Sequence, residues 1–253
     1  MRAIILAAGE GKRLRPYTSN KPKCMVEIEG KSLIDRQINV LNKNGIDDII
    51  IIGGYKSEML KGKGNKLLVN PRYHETNMVW TLFCAEDYLN EEVVVSYGDI
   101  VYSADILSSL ISSKNDISVT IDMNWEDYWR ERNENPIDDA ETLRISKDGS
   151  IEEIGQKPNS LAEIQGQYMG LLKFSPEGLR LLRDSFSNYK KNGLIMDKTC
   201  ENAFMTDLLM QLIVDKIKIQ SVKVFSPWIE VDTVDDLHAS YTTKRIRMIE
   251  NNM

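Results

Sequence analysis

Four short apolar runs organise the first half of the chain, at residues 3–8, 48–52, 66–70 and 93–97. Those at 3–8, 48–52 and 93–97 are continuous rather than alternating, the pattern of strands covered on both faces in a parallel sheet. Between the first two, residues 32–44 place Leu33, Ile34, Ile38 and Leu41 at helical spacing and end on Gly45, which suits a helix C′ position. Residues 76–88 read as a further helix. The alternation predicts an α/β fold, a Rossmann-like, mostly parallel sheet flanked by helices. In such sheets functional groups gather beyond the carboxyl ends of the strands, near a switch in strand order.

The second half changes character. Strands are expected at 117–123 and 142–146, separated by a polar, aromatic-rich insertion at 124–136. Lys147-Asp148-Gly149 reads as a hairpin turn into a strand at 151–154, and 168–174 reads as another strand. Helices are expected at 176–187, 201–214 and 233–249. These strands predict an antiparallel extension of the parallel core. With no internal repeat, low-complexity linker or clear boundary, the chain reads as a single domain, 1–253.

Composition narrows the function classes. A chain of 253 residues with 42% hydrophobic and 28% charged residues is ordinary for a soluble globular protein. The formal net charge of -6 argues against a nucleic-acid partner and makes the local cluster Lys12, Arg13, Arg15, Lys21 and Lys23 stand out. Three cysteines without paired spacing and only two histidines argue against a disulfide framework or a zinc site and fit reduced thiols in the cytoplasm. No apolar stretch approaches the roughly 18 residues of a membrane span, and the N-terminus reads as a strand, not a secretory segment, so a membrane is not an expected partner.

The basic cluster follows the first strand directly. Leu6-Ala7-Ala8-Gly9-Glu10-Gly11-Lys12-Arg13-Leu14 leads to Pro16, Thr18 and Pro22-Lys23. A glycine turn at a strand end can bring bare backbone N–H groups against phosphate oxygens, and the basic side chains supply countercharge. Gly-x-Gly alone is weak; followed by Arg13 and, ten residues later, by the Lys of Pro-Lys, it is specific. This segment resembles the signature of the sugar-1-phosphate type of nucleotidyltransferase, which joins a nucleoside triphosphate to a phosphorylated substrate. It departs at Lys12, where the family has a small hydroxyl residue, and at Ala8, where many members have Gly; Ala is common in the cytidylyltransferase branch.

The resemblance implies a nucleotidyltransferase, GT-A-like fold in which 1–115 form the nucleotide-binding half and 116–253 the acceptor-binding half. It also implies a reaction: attack by a substrate phosphate oxygen on the α-phosphorus, with pyrophosphate leaving. A phosphomonoester is largely dianionic at neutral pH, so no Ser, Cys or His nucleophile is needed, only cations and positioning. Lys23 corresponds to the Lys of Pro-Lys and is expected on the α-phosphate, with Arg13 on the β- and γ-phosphates. Leu6, Ala7, Ala8, Gly9, Glu10, Gly11, Lys12, Gly54, Tyr55, Asn77, Thr81 and Gly98 are the further nucleotide-binding candidates. Asp99, after the strand ending Tyr97-Gly98, suits Mg²⁺, the expected cofactor, and matches the family's metal Asp. Asp232, in Trp228-Ile-Glu-Val-Asp-Thr-Val-Asp-Asp-Leu237, resembles the second metal segment, with Glu230 as its competitor and helix capping as its alternative role.

Acceptor candidates come from the second half, with Trp80 added. Gln156-Lys157-Pro158 resembles the family's Glu-Lys-Pro, whose Lys binds the substrate phosphate; Gln156 lacks the carboxylate that contacts sugar hydroxyls. Asn77-Met-Val-Trp80-Thr81-Leu82 and Gly54-Tyr55 resemble the phosphocholine cytidylyltransferase group, and the insertion around Trp125–Arg132 resembles the branch acting on phosphoglutamine in capsule polysaccharide biosynthesis. Trp129, Arg130 and Gly170 complete the acceptor set. Aromatics would hold an ammonium and arginines a carboxylate, and the mixture favours an amino-acid-like acceptor over choline. The expected partners are CTP, from the resemblance alone, and a small phosphorylated acceptor of phosphoglutamine or phosphocholine type. A sugar-1-phosphate enzyme using UTP or dTTP is the alternative. Glycosyl transfer from a nucleotide-sugar lacks support in a missing Asp-x-Asp, and a non-catalytic relative lacks it because Lys23, Asp99 and Asp232 are all present. Homo-oligomerisation stays open.

Overall fold

A computed structural model describes residues 1–225 and 227–251. Seven strands form the central sheet: β1 (Arg2–Ala7), β2 (Asp48–Gly53), β3 (Lys66–Val69), β4 (Val93–Tyr97), β5 (Ile117–Asp122), β6 (Gln167–Phe174) and β7 (Gln220–Val224). Their order is β7-β5-β6-β4-β1-β2-β3. All neighbours are parallel except at β6, which runs antiparallel to both β4 and β5. This is the mostly parallel, helix-flanked sheet predicted above. The order switches at β1, whose carboxyl end opens between β2 and β4.

Strand alternation divides the core into two layers. Ile4 and Leu6 of β1 face a cluster with Val79, Leu82, Leu182 and Leu208, from helices α2 (Met78–Phe83), α5 (Pro176–Asn192) and α6 (Met205–Val214). Ala3, Ile5 and Ala7 face the opposite layer with Ile34, Leu41, Leu107 and Trp129, from α1 (Leu33–Lys43), α3 (Ala104–Ser112) and α4 (Trp125–Arg132). Helix ends follow from local chemistry. Ser32 accepts from the Asp35 N–H at the start of α1, and Gly45 beyond its end adopts φ 75°.

Four expected elements differ. The helix read over 176–187 runs on to Asn192. The helix read over 76–88 is only Met78–Phe83, followed by a single 3-10 turn at Glu86–Tyr88. The Tyr88 carbonyl there is taken by the Arg2 guanidinium at 2.8 Å, which anchors this segment to β1. The helix read over 201–214 begins at Met205, because the carbonyls of Glu201 and Asn202 accept from Asn77 instead of continuing a helix. The last helix is broken into α7 (Val234–His238) and α8 (Ser240–Asn251) at extended Ala239. The break lets Ile246 and Ile249 pack with Leu14, Val26 and Val231 in a third cluster beneath the N-terminal loop. Strand β7 was not anticipated; its residues are mostly half-buried or exposed and carry no continuous apolar run. The hairpin Leu143–Ile145 with Ile151–Ile154 forms as expected.

Candidate active site

Two carboxylate-bearing segments are joined outside the main sheet. Ile100–Tyr102 pairs antiparallel with Trp228–Glu230, and the Val231 N–H donates to the Asp99 carbonyl at 3.1 Å. Asp99 therefore meets Glu230 and Asp232, and one oxygen of each lies within 4.8 Å of the others. Buried Gln37 of α1 fixes the turn that carries Asp99, donating to the carbonyls of Tyr97 (2.9 Å) and Ile100 (2.7 Å).

Lys23 reaches this trio from the N-terminal loop. Gly11 makes the approach possible: its φ is 62°, and an added Cβ would lie 3.0 Å from Lys23 Cβ. Thr18 Oγ1 donates to the Gly11 carbonyl at 2.7 Å and closes the loop. The Lys23 ammonium donates to Asp99 Oδ2 at 2.5 Å and also to Asp232. Burial opposes its charge, but Asp99 and Asp232 outweigh burial and raise its pKa well above the ordinary value. Lys23 in turn holds the Asp232 carboxyl low against burial. Burial and neighbouring Asp232 push the Glu230 carboxyl up, against an ion pair with Arg132 at 3.0 Å. Arg13 is exposed, with Nη2 3.2 Å from Asp232.

Two cavities meet at this cluster. One, of about 210 Å³, is lined by Leu6, Ala7, Ala8, Gly9, Lys23, Asn77, Thr81, Gly98 and Asp99 among the expected residues, and by Tyr73, Thr76, Met78 and Tyr97 besides. Gly54 and Tyr55 sit behind its wall, where the Tyr55 N–H donates to the Ala8 carbonyl at 3.1 Å. Glu10 and Lys12 lie on the loop beyond it and pair with each other at 3.4 Å. The second cavity, of about 190 Å³, shares Met78 and Tyr97 with the first and contains Trp129, Gly170 and Asp232.

The remaining acceptor candidates lie elsewhere. Trp80 packs beneath the Arg72 guanidinium, 5.1 Å from its ring centroid, and lines neither cavity. Arg130 is exposed and pairs with Glu126 one turn back along α4. Gln156 and Lys157 line a separate surface cleft, and the Lys157 ammonium donates to the carbonyls of Ile137 and Asp138, both at 2.8 Å.

The second cavity also offers Asp139, Glu141, Tyr168 and Phe204, which were not read from the sequence, and Glu230, read there as the competitor of Asp232 for the metal. Burial, with Asp207 and Asp139 nearby, pushes the Glu141 carboxyl up to about 7. Burial also raises Asp139, against Arg132. No local motif marks Asp139, Glu141, Tyr168 or Phe204; Asp139 and Glu141 follow the 3-10 turn at Pro136–Asp138, between the insertion read over 124–136 and the strand read over 142–146.

The trio also fits a hard divalent cation. Its donors are all carboxylate oxygens, and Asp99 Oδ1 is buried without a hydrogen-bond partner, an unmet demand that such an ion satisfies. Among the described residues no helix is long and apolar enough to cross a membrane.

Comparison with known proteins follows the same lines. The MobA-like NTP transferase domain family matches residues 3–128. CTP:phosphoglutamine cytidylyltransferase of Campylobacter jejuni is 39% identical over 248 residues, 94% of this chain and 98% of that protein. Choline-phosphate cytidylyltransferase of Streptococcus pneumoniae is 42% identical over 106 residues, 40% of this chain and 46% of that one. Among solved structures, the inositol-1-phosphate CTP transferase from T. maritima shares the fold with a TM-score of 0.76 at 20% identity, covering 100% of this chain and 97% of its own. The CTP:phosphocholine cytidylyltransferase of S. pneumoniae does so with a TM-score of 0.66 at 21% identity, covering 97% and 98%. The chain thus belongs to the nucleotidyltransferase family, in the branch that holds the phosphoglutamine and phosphocholine cytidylyltransferases.

Proposed function

We propose that this enzyme transfers CMP from CTP to a small phosphorylated amine, releasing pyrophosphate, with Mg²⁺ as cofactor. The observation that carries the proposal is the meeting of Lys23 with Asp99, Glu230 and Asp232 at the junction of two cavities. The cavity at the end of β1 suits the nucleotide, because backbone groups of Ala7 to Gly9 line it beside Lys23. The second cavity suits the acceptor.

The acceptor dianion attacks the α-phosphorus; the new P–O bond forms as the bond to the β-phosphate oxygen breaks, and no proton need move. The chain's own work is to hold two anions together and offset the charge that develops. Lys23 serves the α-phosphate and Arg13, exposed at the rim, serves the departing phosphates. Asp99, Asp232 and Glu230 would hold the metal, which supplies charge neutralisation for the phosphate oxygens.

The acceptor's class follows from the second cavity. Asp139 and Glu141 line it among Tyr97, Trp129, Tyr168 and Phe204, and Arg130 does not enter it. Carboxylates with aromatic faces recognise an ammonium group. Phosphoglutamine, named for the relative that this chain matches over 98% of its length, carries one, as does phosphocholine. The arginines expected on a carboxylate lie outside the lining of this cavity, Arg130 paired with Glu126 and Arg132 with Glu230 and Asp236. The test is pyrophosphate release over a grid of CTP, UTP and dTTP against phosphoglutamine, phosphocholine and glucose 1-phosphate, with and without Mg²⁺. Turnover with CTP and a phosphorylated amine, lost with EDTA, is expected. Turnover confined to UTP or dTTP with the sugar phosphate would overturn the reading.

A further inference from the structure

Helix α4 reaches the carboxylate cluster through Arg132 and Tyr128. The Arg132 side chain is only 4% exposed, with Nη1 3.0 Å from Glu230 Oε2 and Nε 3.1 Å from Asp236 Oδ1. Its guanidinium stands 5.4 Å from the ring centroids of both Tyr128 and Trp129. Asp236 passes the restraint on. Its Oδ2 accepts from the main-chain N–H of Asp232 at 3.0 Å and of Thr233 at 2.9 Å. One guanidinium therefore holds the Glu230 carboxylate directly and the Asp232 backbone at one remove. Tyr128 adds a second tie, accepting from the Glu230 N–H at 2.9 Å.

We propose that Arg132 is a positioning residue: it fixes Glu230 and Asp232 toward the cation and links that site to the helix whose Trp129 walls the acceptor cavity. The proposal rests on the metal-dependent reading above. A planar fork with five donors can span two carboxylates at fixed angles, whereas a lysine offers a single point charge. Stability alone is a weak reason for such a group, since buried ion pairs are often no more stabilising than apolar residues of the same volume. Its value lies in orientation, as for other groups that aim metal ligands from behind. The motif around Asp232 does not mark this residue, which lies 98 positions from Glu230 in the chain.

Mn²⁺ is the probe, followed by the loss of the EPR signal on adding protein to Mn²⁺ and CTP, measured against the same mixture without protein. Arg132→Lys keeps the charge and loses the fork. It should weaken Mn²⁺ binding at least ~10-fold, the scale seen when groups behind metal ligands are altered, with unchanged far-UV circular dichroism. The Mg²⁺ concentration for half-maximal rate should rise in parallel, while kcat at saturating Mg²⁺ changes little. Glu230→Gln leaves Arg132 paired with Asp236 and should weaken Mn²⁺ by a similar factor, and the double variant should lose less than the product of the two single losses, because part of the effect of Arg132 passes through Glu230 and only the rest through Asp236 to Asp232. Mn²⁺ binding like wild type in either single variant, or independent additive losses, overturns the proposal. If Arg132→Lys does not fold, Glu230→Gln still decides. Wild-type protein that binds no Mn²⁺ would instead overturn the metal-dependent reading itself.

Discussion

Lys23 is held by opposing forces, and their balance gives its variants a direction. Burial works against the ammonium, and Asp99 and Asp232 keep it charged far above neutral pH. Lys23→Ala removes a cation acting mainly on the transition state, so turnover should fall at least ~10²-fold in a folded protein. It also leaves two carboxylates facing each other without their countercharge, so Mg²⁺ should raise the melting temperature of the variant more than that of wild type; an equal rise would argue that the ion binds elsewhere. Asp99→Asn and Asp232→Asn should each abolish Mg²⁺-supported turnover in the pyrophosphate assay, because the amide keeps the shape and loses the charge. Residues like these were legible because each closes a local pattern: Lys23 ends Pro-Lys, Asp99 follows a buried strand, Asp232 precedes a capped helix. Gln37 and Arg132 were not, because their roles exist only in contacts to residues 60 and 98 positions away.

Helix α4 lies in the stretch that the sequence marks only as a polar, aromatic-rich insertion, and its geometry separates residues expected to act together. The insertion was read as a wall of mixed aromatics and arginines, but a helical step of about 100° per residue cannot turn neighbours 129 and 130 the same way. Trp129 is buried and lines the second cavity; Arg130 faces solvent and Glu126; Arg132 returns inward to Glu230 and Asp236. Arg130→Ala should accordingly leave the KM of triphosphate and acceptor unchanged, and a rise in the acceptor KM alone would restore the arginine wall. Glu141 carries the opposite expectation. Its folded pKa of about 7 lies above the ordinary 4.5. Stability linked to its protonated form is fully present below the unfolded value and is lost as pH rises through the folded one. Wild type therefore bears the full cost of ionising Glu141 above pH 7, and Glu141→Gln, which cannot ionise, should raise the melting temperature clearly at pH 8 and far less at pH 5. In the rate assay the same variant should raise the acceptor KM, since it removes a charge facing the proposed ammonium.

At the scale of the molecule, the feature that separates this sheet from a purely parallel one is β6, inserted antiparallel between β4 and β5. The sequence indicated a strand at 168–174 but not its neighbours, because strand order depends on pairing between distant segments and a run of seven residues does not encode its partners. The insertion has a consequence at Gly170. The pairing of β6 with β5 shifts register between Tyr168 and Leu172, and Gly170 within that irregularity adopts φ 79°. An added Cβ would lie 2.6 Å from the ring of Tyr97, which with Met78 lines both cavities. Gly170 was named from the sequence as an acceptor contact; its position gives it a broader effect, on the wall that the two sites share. Gly170→Ala combines a left-handed backbone cost of ~1–2 kcal/mol with displacement of the Tyr97 ring. At ~2–4 °C per kcal/mol for a chain of this size, the melting temperature should drop by roughly 5 °C. KM should rise for the triphosphate and the acceptor together, unlike Glu141→Gln, which should affect the acceptor alone. A Gly170→Ala enzyme that loses affinity only for the acceptor would show that Tyr97 does not join the two cavities, and that each half of the sheet builds its site independently.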